Sequence, residues 1–273
     1  MTIISEADFS KATGICKLPF PGLASMLMKM MKINALNRIV SDANHLEGAA
    51  FANYLLNTLG VIIEIDDEDL ANIPETGAFI SIANHPYGAI ESLALLSTLT
   101  KKRPDTMFMG NFLLKKIPNL SECIIPVNPF ENVQDASSIS GLKTTFKTLK
   151  EGTPVAIFPA GEVSSYKFKK LQITDREWHP VVGKIISKAD VPILPVYFFG
   201  NNGFLFSLLR LIHPSLQTAK LISELFNKEG HVLKIKIGKP ILPKDIPSVC
   251  NQSLLTYLRT SLYALGKKTA KVN

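Results

Sequence analysis

Residues 81–92 read SIANHPYGAIES. A run of small and β-branched residues ends at Ala83, and His85 follows it closely. The carboxylate of Glu91 comes six residues after the histidine. On one continuous helix, with roughly 3.6 residues per turn, positions six apart point different ways. Pro86 and Gly88 break that continuity and favour a turn, which can bring carboxylate and imidazole together. A histidine at a strand end is also a common structural residue, and it is the spacing to Glu91 that favours chemistry. A carboxylate on one ring nitrogen fixes the tautomer and raises the basicity of the other, giving a general base. No nucleophile neighbours the pair, and no G-x-S-x-G elbow occurs in the chain, which argues against an α/β-hydrolase. His85 and Glu91 are the expected catalytic pair, acting on a hydroxyl or amine supplied by a substrate.

A second block, AIFPAGEVSS at 156–165, runs an apolar strand into Phe158, Pro159, Ala160, Gly161 and Glu162, with Ser164 and Ser165 after them. Two readings fit it. One is an ordinary strand-to-turn transition closed by Pro and Gly. The other is a rigid rim of carboxylate and hydroxyls at a strand end, where open α/β sheets bind ligands. A third block, VPILPVYFFG at 191–200, reads by composition as a structural strand with two prolines.

In this order the three blocks resemble the glycerolipid acyltransferase superfamily, typified by lysophosphatidic acid acyltransferase. The resemblance covers roughly residues 75–200. Asn84, His85 and Glu91 stand for the family's Asn-His motif with its following Asp. Phe158 to Ser164 stand for Phe-Pro-Glu-Gly-Thr-Arg-Ser, and Val191 to Val196 for Val-Pro-Ile-x-Pro-Val. The histidine-to-carboxylate gap is one residue longer than the family's, and the carboxylate is Glu. Ala160 stands where the family usually has Glu, and Glu162 falls two positions later. The family's second motif ends in Arg after an apolar strand; here the run Cys123 to Val127 is followed by Asn128. His-Pro-aromatic-Gly and Phe-Pro-Ala-Gly are similar to one branch, that of hemolysin-annotated proteins and the O-acyltransferases of ornithine and glycine lipids.

The resemblance implies that His85 deprotonates an acceptor hydroxyl, which attacks an acyl thioester. Glu91 orients His85, and backbone N–H groups near Gly161 stabilise the oxyanion. Asn84, Tyr87, Asn128, Phe158, Pro159, Ala160, Gly161, Glu162 and Ser164 are the implied substrate-binding residues. The implied donor is acyl carrier protein or coenzyme A thioester, with no bound cofactor and no metal. In phosphate-using members Arg grips the acceptor's phosphate by a bidentate fork. Asn128 lacks that charge, so a phosphate-free acceptor such as lyso-ornithine or lyso-glycine lipid is expected.

The elements that must position these residues are legible in outline. From about residue 70, apolar runs (78–83, 106–109, 123–127, 155–158, 192–199 and 232–237) alternate with helical patterns at 91–100, 139–149, 181–188 and 254–265. That alternation predicts an α/β fold, a mixed and largely parallel sheet flanked by helices. The first 65 residues differ, being rich in Met, Leu and Ala, and read as helical. The charged segment Asp66 to Asp69 marks the expected boundary. It separates an N-terminal helical, membrane-associating region (1–68) from the acyltransferase α/β domain (69–273).

Of the 273 residues, 46% are hydrophobic and 19% charged, and the formal charge is +7. Mean hydropathy is positive, which fits a full core or apolar surface meant for a membrane. The basic balance favours anionic lipid, nucleic acid or an acidic carrier protein; no nucleic-acid motif accompanies it. Cys16, Cys123 and Cys250 are far apart and odd in number, as in a reducing compartment. The N-terminus lacks a signal-peptide layout. No apolar run reaches the length of about 18 that a spanning helix needs. In LASMLMKMMK, residues 23–32, Ser25, Lys29 and Lys32 form a narrow stripe beside a wide apolar face. Such a helix either lies in a lipid interface or packs into the core with snorkelling lysines. Peripheral attachment on the cytoplasmic side of the membrane is expected. Lys167, Lys169 and Lys170 form either a solvated face or a dock for a carrier protein or anionic headgroups. His179 reads as a helix-start residue, and His45, His213 and His231 form no metal pattern. Competing classes are an idle lipid-binding protein of the same fold and a metal-dependent hydrolase, the latter lacking further ligands at plausible spacing.

Overall fold

Short runs of Ile, Val and Leu form the centre of the protein, because strands buried on both faces need apolar residues at every position. The computed structural model describes residues 5–7, 22–127, 136–167, 171–203, 206, 214–246 and 251–268. Helices α1 (Leu23–Met30), α2 (Ile33–Asp42) and α3 (Gly48–Thr58) lead to strand β1 (Ile62–Glu64) and the short helix α4 (Asp67–Ala71). Then come β2 (Ile80–Ala83), α5 (Ile90–Thr100), β3 (Met107–Asn111), two 3-10 turns (Phe112–Lys116, Pro118–Cys123) and β4 (Ile124–Val127). Helix α6 (Ala136–Lys150) precedes β5 (Val155–Ile157) and a hairpin of β6 (Ser165–Lys167) and β7 (Gln172–Thr174). The chain closes with α7 (Pro180–Ala189), β8 (Ile193–Phe198), α8 (Pro214–Phe226), β9 (Val232–Ile237) and α9 (Asn251–Lys268).

Seven strands form one sheet in the order β1-β9-β8-β2-β5-β3-β4. The five from β8 to β4 run parallel, β9 is antiparallel to β8, and β1 is parallel to β9. This is the mixed, largely parallel α/β sheet that the sequence predicts. Alternation along β2 divides the core. Phe79 and Ala83 face one side with α3 and α5, while Ile80 and Ile82 face the other with α7 and α9. Helices thus cover both faces.

Residues 51–69 are part of this body. Phe51, Ala52, Leu55 and Leu56 of α3 share one apolar cluster with Leu93 to Leu96 of α5. Strand β1, in a stretch read as helical, pairs with β9. Asp69 accepts from the Ile237 N–H at 3.0 Å, and Lys236 pairs with Asp66 at 2.8 Å. The expected boundary at Asp66–Asp69 therefore falls inside the sheet's own edge, where charge on both elements is used for pairing.

Candidate active site

Parallel strands β2, β5 and β8 are in register, with Ile82 beside Ile157 and Pro195. Their carboxyl ends therefore finish together, and the turns that follow meet above the sheet. Asn84 and His85 leave β2 there, and Phe158 leaves β5.

The turn after β2 brings the predicted pair together. His85 Nδ1 is 3.0 Å from Glu91 Oε1; the His85 side chain is 14% exposed and that of Glu91 fully buried. Oε1 also accepts the Tyr87 N–H at 2.8 Å and the Gly88 N–H at 2.6 Å. One oxygen thus caps the turn and faces the imidazole. Nδ1 lies off the line of a well-directed hydrogen bond to that oxygen. Gly88 sits at φ 99°, and a Cβ there would run into Leu221 and Val163. Phe158 stacks on the His85 ring, centroids 4.2 Å apart. With the carboxylate beside Nδ1, that nitrogen carries the proton and Nε2 is left basic. This tautomer is assigned from the surroundings.

The other predicted residues separate into two groups. Phe158 lies at His85. Pro159 and Ala160 are buried, and the Pro159 carbonyl accepts the His179 N–H at 3.0 Å. Glu162 faces Arg176 at 3.3 Å. Asn84, expected to touch substrate, instead spans strand ends: its Nδ2 donates to the Phe198 carbonyl at 2.9 Å and its Oδ1 accepts the Phe198 N–H at 2.7 Å. Tyr87 is buried, its hydroxyl donating to the Phe199 carbonyl at 2.8 Å. Burial, then the Glu91 charge, push that hydroxyl's pKa up to about 12. Ser164 is also turned away, giving its hydroxyl to Asp175 at 2.6 Å. The Gly161 N–H donates to the Phe158 carbonyl at 3.0 Å, so it is committed within its own turn rather than free for an oxyanion. Asn128 lies outside the described residues, as do Phe168, Lys169 and Lys170; Lys167 donates to Ser165 at 3.1 Å. His179 caps α7 through its ring, as its position suggested.

Asp175 escaped the sequence reading. It is 2% exposed and contacts the backbone of His85. The only local signal was an acid directly after the strand of Gln172–Thr174.

Among the described residues no group of three or more His, Cys, Asp or Glu side chains could hold a metal ion. The arrangement is that of a base held by a carboxylate, with the neighbouring serine hydroxyl engaged elsewhere. It can take a proton from a hydroxyl that a substrate brings.

Two lyso-glycine lipid O-acyltransferases are similar to the chain. That of Phocaeicola vulgatus is 24% identical over 226 residues, 80% of this chain and 78% of that protein. That of Bacteroides thetaiotaomicron is 24% identical over 228 residues, 80% of each. The crystal structure of the 1-acyl-sn-glycerophosphate acyltransferase of Thermotoga maritima aligns with a TM-score of 0.47 at 20% identity, covering 90% of this chain and 83% of that one. The family profile described as "Acyltransferase" matches residues 9–268. With nearly its whole length so matched, and a histidine–carboxylate pair at the strand ends, the chain belongs to the acyltransferase family.

Proposed function

We propose that this acyltransferase moves a fatty acyl group from a thioester to the hydroxyl of a phosphate-free lyso-lipid, of the lyso-glycine or lyso-ornithine class. His85 Nε2 takes the acceptor's hydroxyl proton. The oxygen attacks the thioester carbonyl carbon, the C–S bond breaks, and the departing sulfur takes the proton back from His85. Glu91 stabilises the imidazolium between the two transfers. The donor is acyl carrier protein or coenzyme A thioester. The observation that carries the reading is the 3.0 Å contact of His85 with Glu91 beside a serine already engaged by Asp175.

The acceptor rests on two supports. The curated relatives are named for lyso-glycine lipid. Asn128 follows β4 where phosphate-using members carry Arg, and a neutral amide supplies no charge for a phosphomonoester. Supplying one labelled acyl thioester with lyso-glycine lipid, lyso-ornithine lipid or lysophosphatidic acid tests this. Preference for lysophosphatidic acid would refute it.

Attachment to an anionic membrane surface on the cytoplasmic side accompanies this reading. Among the described residues no helix is long and apolar enough to cross a membrane. Helix α1 exposes Met26 and Met30, with Ser25 and Lys29 beside them. Its outward face is narrower than the sequence suggested, because Ala24 and Met28 pack with Ile33 and Ile222.

A further inference from the structure

The peptide of His85 is held from both sides by residues far away in the chain. Its N–H donates to Asp175 Oδ1 at 3.2 Å. Its carbonyl accepts the Ser164 N–H at 2.8 Å. Ser164 Oγ donates to the same Asp175 Oδ1 at 2.6 Å, closing the ring of contacts. Asp175 and Ser164 are 2% and 4% exposed.

Asp175 is itself anchored. Its N–H donates to Tyr263 Oη at 3.1 Å, and Arg259 Nη2 donates to its carbonyl at 3.0 Å. Arg259 also reaches Thr174 Oγ1 at 3.2 Å and lies over the Tyr263 ring. Helix α9 thereby backs the carboxylate. A buried carboxylate is expensive, and Asp175 Oδ2 has no hydrogen-bond partner among the described residues. An acid kept at that cost, with its other oxygen on the backbone of the reactive histidine, needs a reason beyond packing.

We propose that Asp175 is the positioning residue for His85, acting with Ser164 to fix the histidine's peptide so that the ring meets both Glu91 and the substrate. The inference rests on His85 being the general base. Glu91 and Phe158 restrain the ring; Asp175 and Ser164 restrain the backbone from which it swings. Because the clasp acts through the backbone of His85, its loss is expected to lower turnover rather than weaken substrate binding. A misplacement of about 1 Å in such a site costs about 10²-fold.

The test uses the full chain and two readouts. In initial-rate kinetics with an acyl thioester and lyso-glycine lipid, Asp175→Ala is expected to lower kcat about 10²-fold with KM unchanged. Asp175→Asn keeps an acceptor oxygen for both donors and is expected to restore most of the rate. Ser164→Ala adds nothing to Asp175→Ala, because both remove one network. The second readout needs no substrate. Imidazole 15N signals of His85, assigned by their loss in His85→Ala, should move in Asp175→Ala and Ser164→Ala but hardly in Asp175→Asn. Should Asp175→Ala fail to fold, Asp175→Asn and Ser164→Ala carry the comparison alone. Unmoved His85 signals in Ser164→Ala, or Asp175→Asn as slow as Asp175→Ala, would overturn the proposal. Signals that move in the two alanine variants, with a wild-type chain that transfers no acyl group, would instead fault the functional reading and leave the clasp standing.

Discussion

His85 Nδ1 and Glu91 Oε1 are 3.0 Å apart, although five residues and a turn separate them in the chain. The same oxygen caps the turn by accepting the N–H groups of Tyr87 and Gly88. One carboxylate oxygen therefore sets both the shape of the turn and the tautomer of the base. Glu91→Gln keeps an acceptor for the two amides and removes the charge. Its kcat is expected to fall by roughly two to four orders of magnitude while its melting temperature stays close to that of the wild type. Wild-type turnover in this variant would remove Glu91 from the mechanism.

Gly88 has φ 99°, and an added Cβ would lie 2.8 Å from Val163 Cγ2 and closer still to Leu221. Gly88→Ala should cost about 1–3 kcal/mol, from backbone strain and overpacking together. A urea titration reads the loss directly. Unchanged stability would mean that the turn relaxes freely, which its two hydrogen bonds to Glu91 speak against.

His231 supports the same turn from the far side. Its Nε2 is 3.2 Å from Tyr87 Oη, whose own hydrogen goes to the Phe199 carbonyl. Burial first, then the Lys228 charge, hold His231 below its ordinary pKa of 6.5. The folded chain thus resists a proton that the unfolded chain accepts. The contribution is present above 6.5 and is lost as pH falls through the lowered folded value. His231→Gln keeps a donor and does not titrate. Between about pH 7.5 and about pH 5 the wild type should lose more thermal stability than this variant. Parallel curves would contradict the assignment.

Membrane attachment through α1 predicts that Met26→Asp with Met30→Asp weakens co-sedimentation with anionic liposomes. These side chains are 53% and 68% exposed, so the substitutions spare the core. Deleting residues 1–40 is a poorer test, since it removes Val40 from the central cluster. Undiminished binding of the double variant would place the contact elsewhere.

The strands of the parallel sheet were legible because both their faces are buried, leaving runs such as Val155–Ile157 uniformly apolar. The pairing of His85 with Glu91 was legible because a turn between them is written in Pro86 and Gly88. Strand β1 was not, since three residues carry too little pattern, and its pairing with β9 is decided more than a hundred residues later. The β6–β7 hairpin hid inside a lysine-rich run for the same reason. Asn84 and Ser164 looked like site residues by motif, but the direction of a side chain depends on partners distant in sequence, here Phe198 and Asp175. Asp175 lies ninety residues from the peptide it contacts, and no local spacing could announce it.

The central claim is that His85 is the base for acyl transfer to a lyso-lipid hydroxyl. The most direct test follows a labelled acyl chain from thioester to lyso-glycine lipid, with wild type and His85→Ala side by side and their folding matched by circular dichroism. Ester should accumulate with the wild type together with an equal amount of free thiol, and His85→Ala should stay at the level of the reaction without protein. Ester formation by a folded His85→Ala at the wild-type rate would contradict the account.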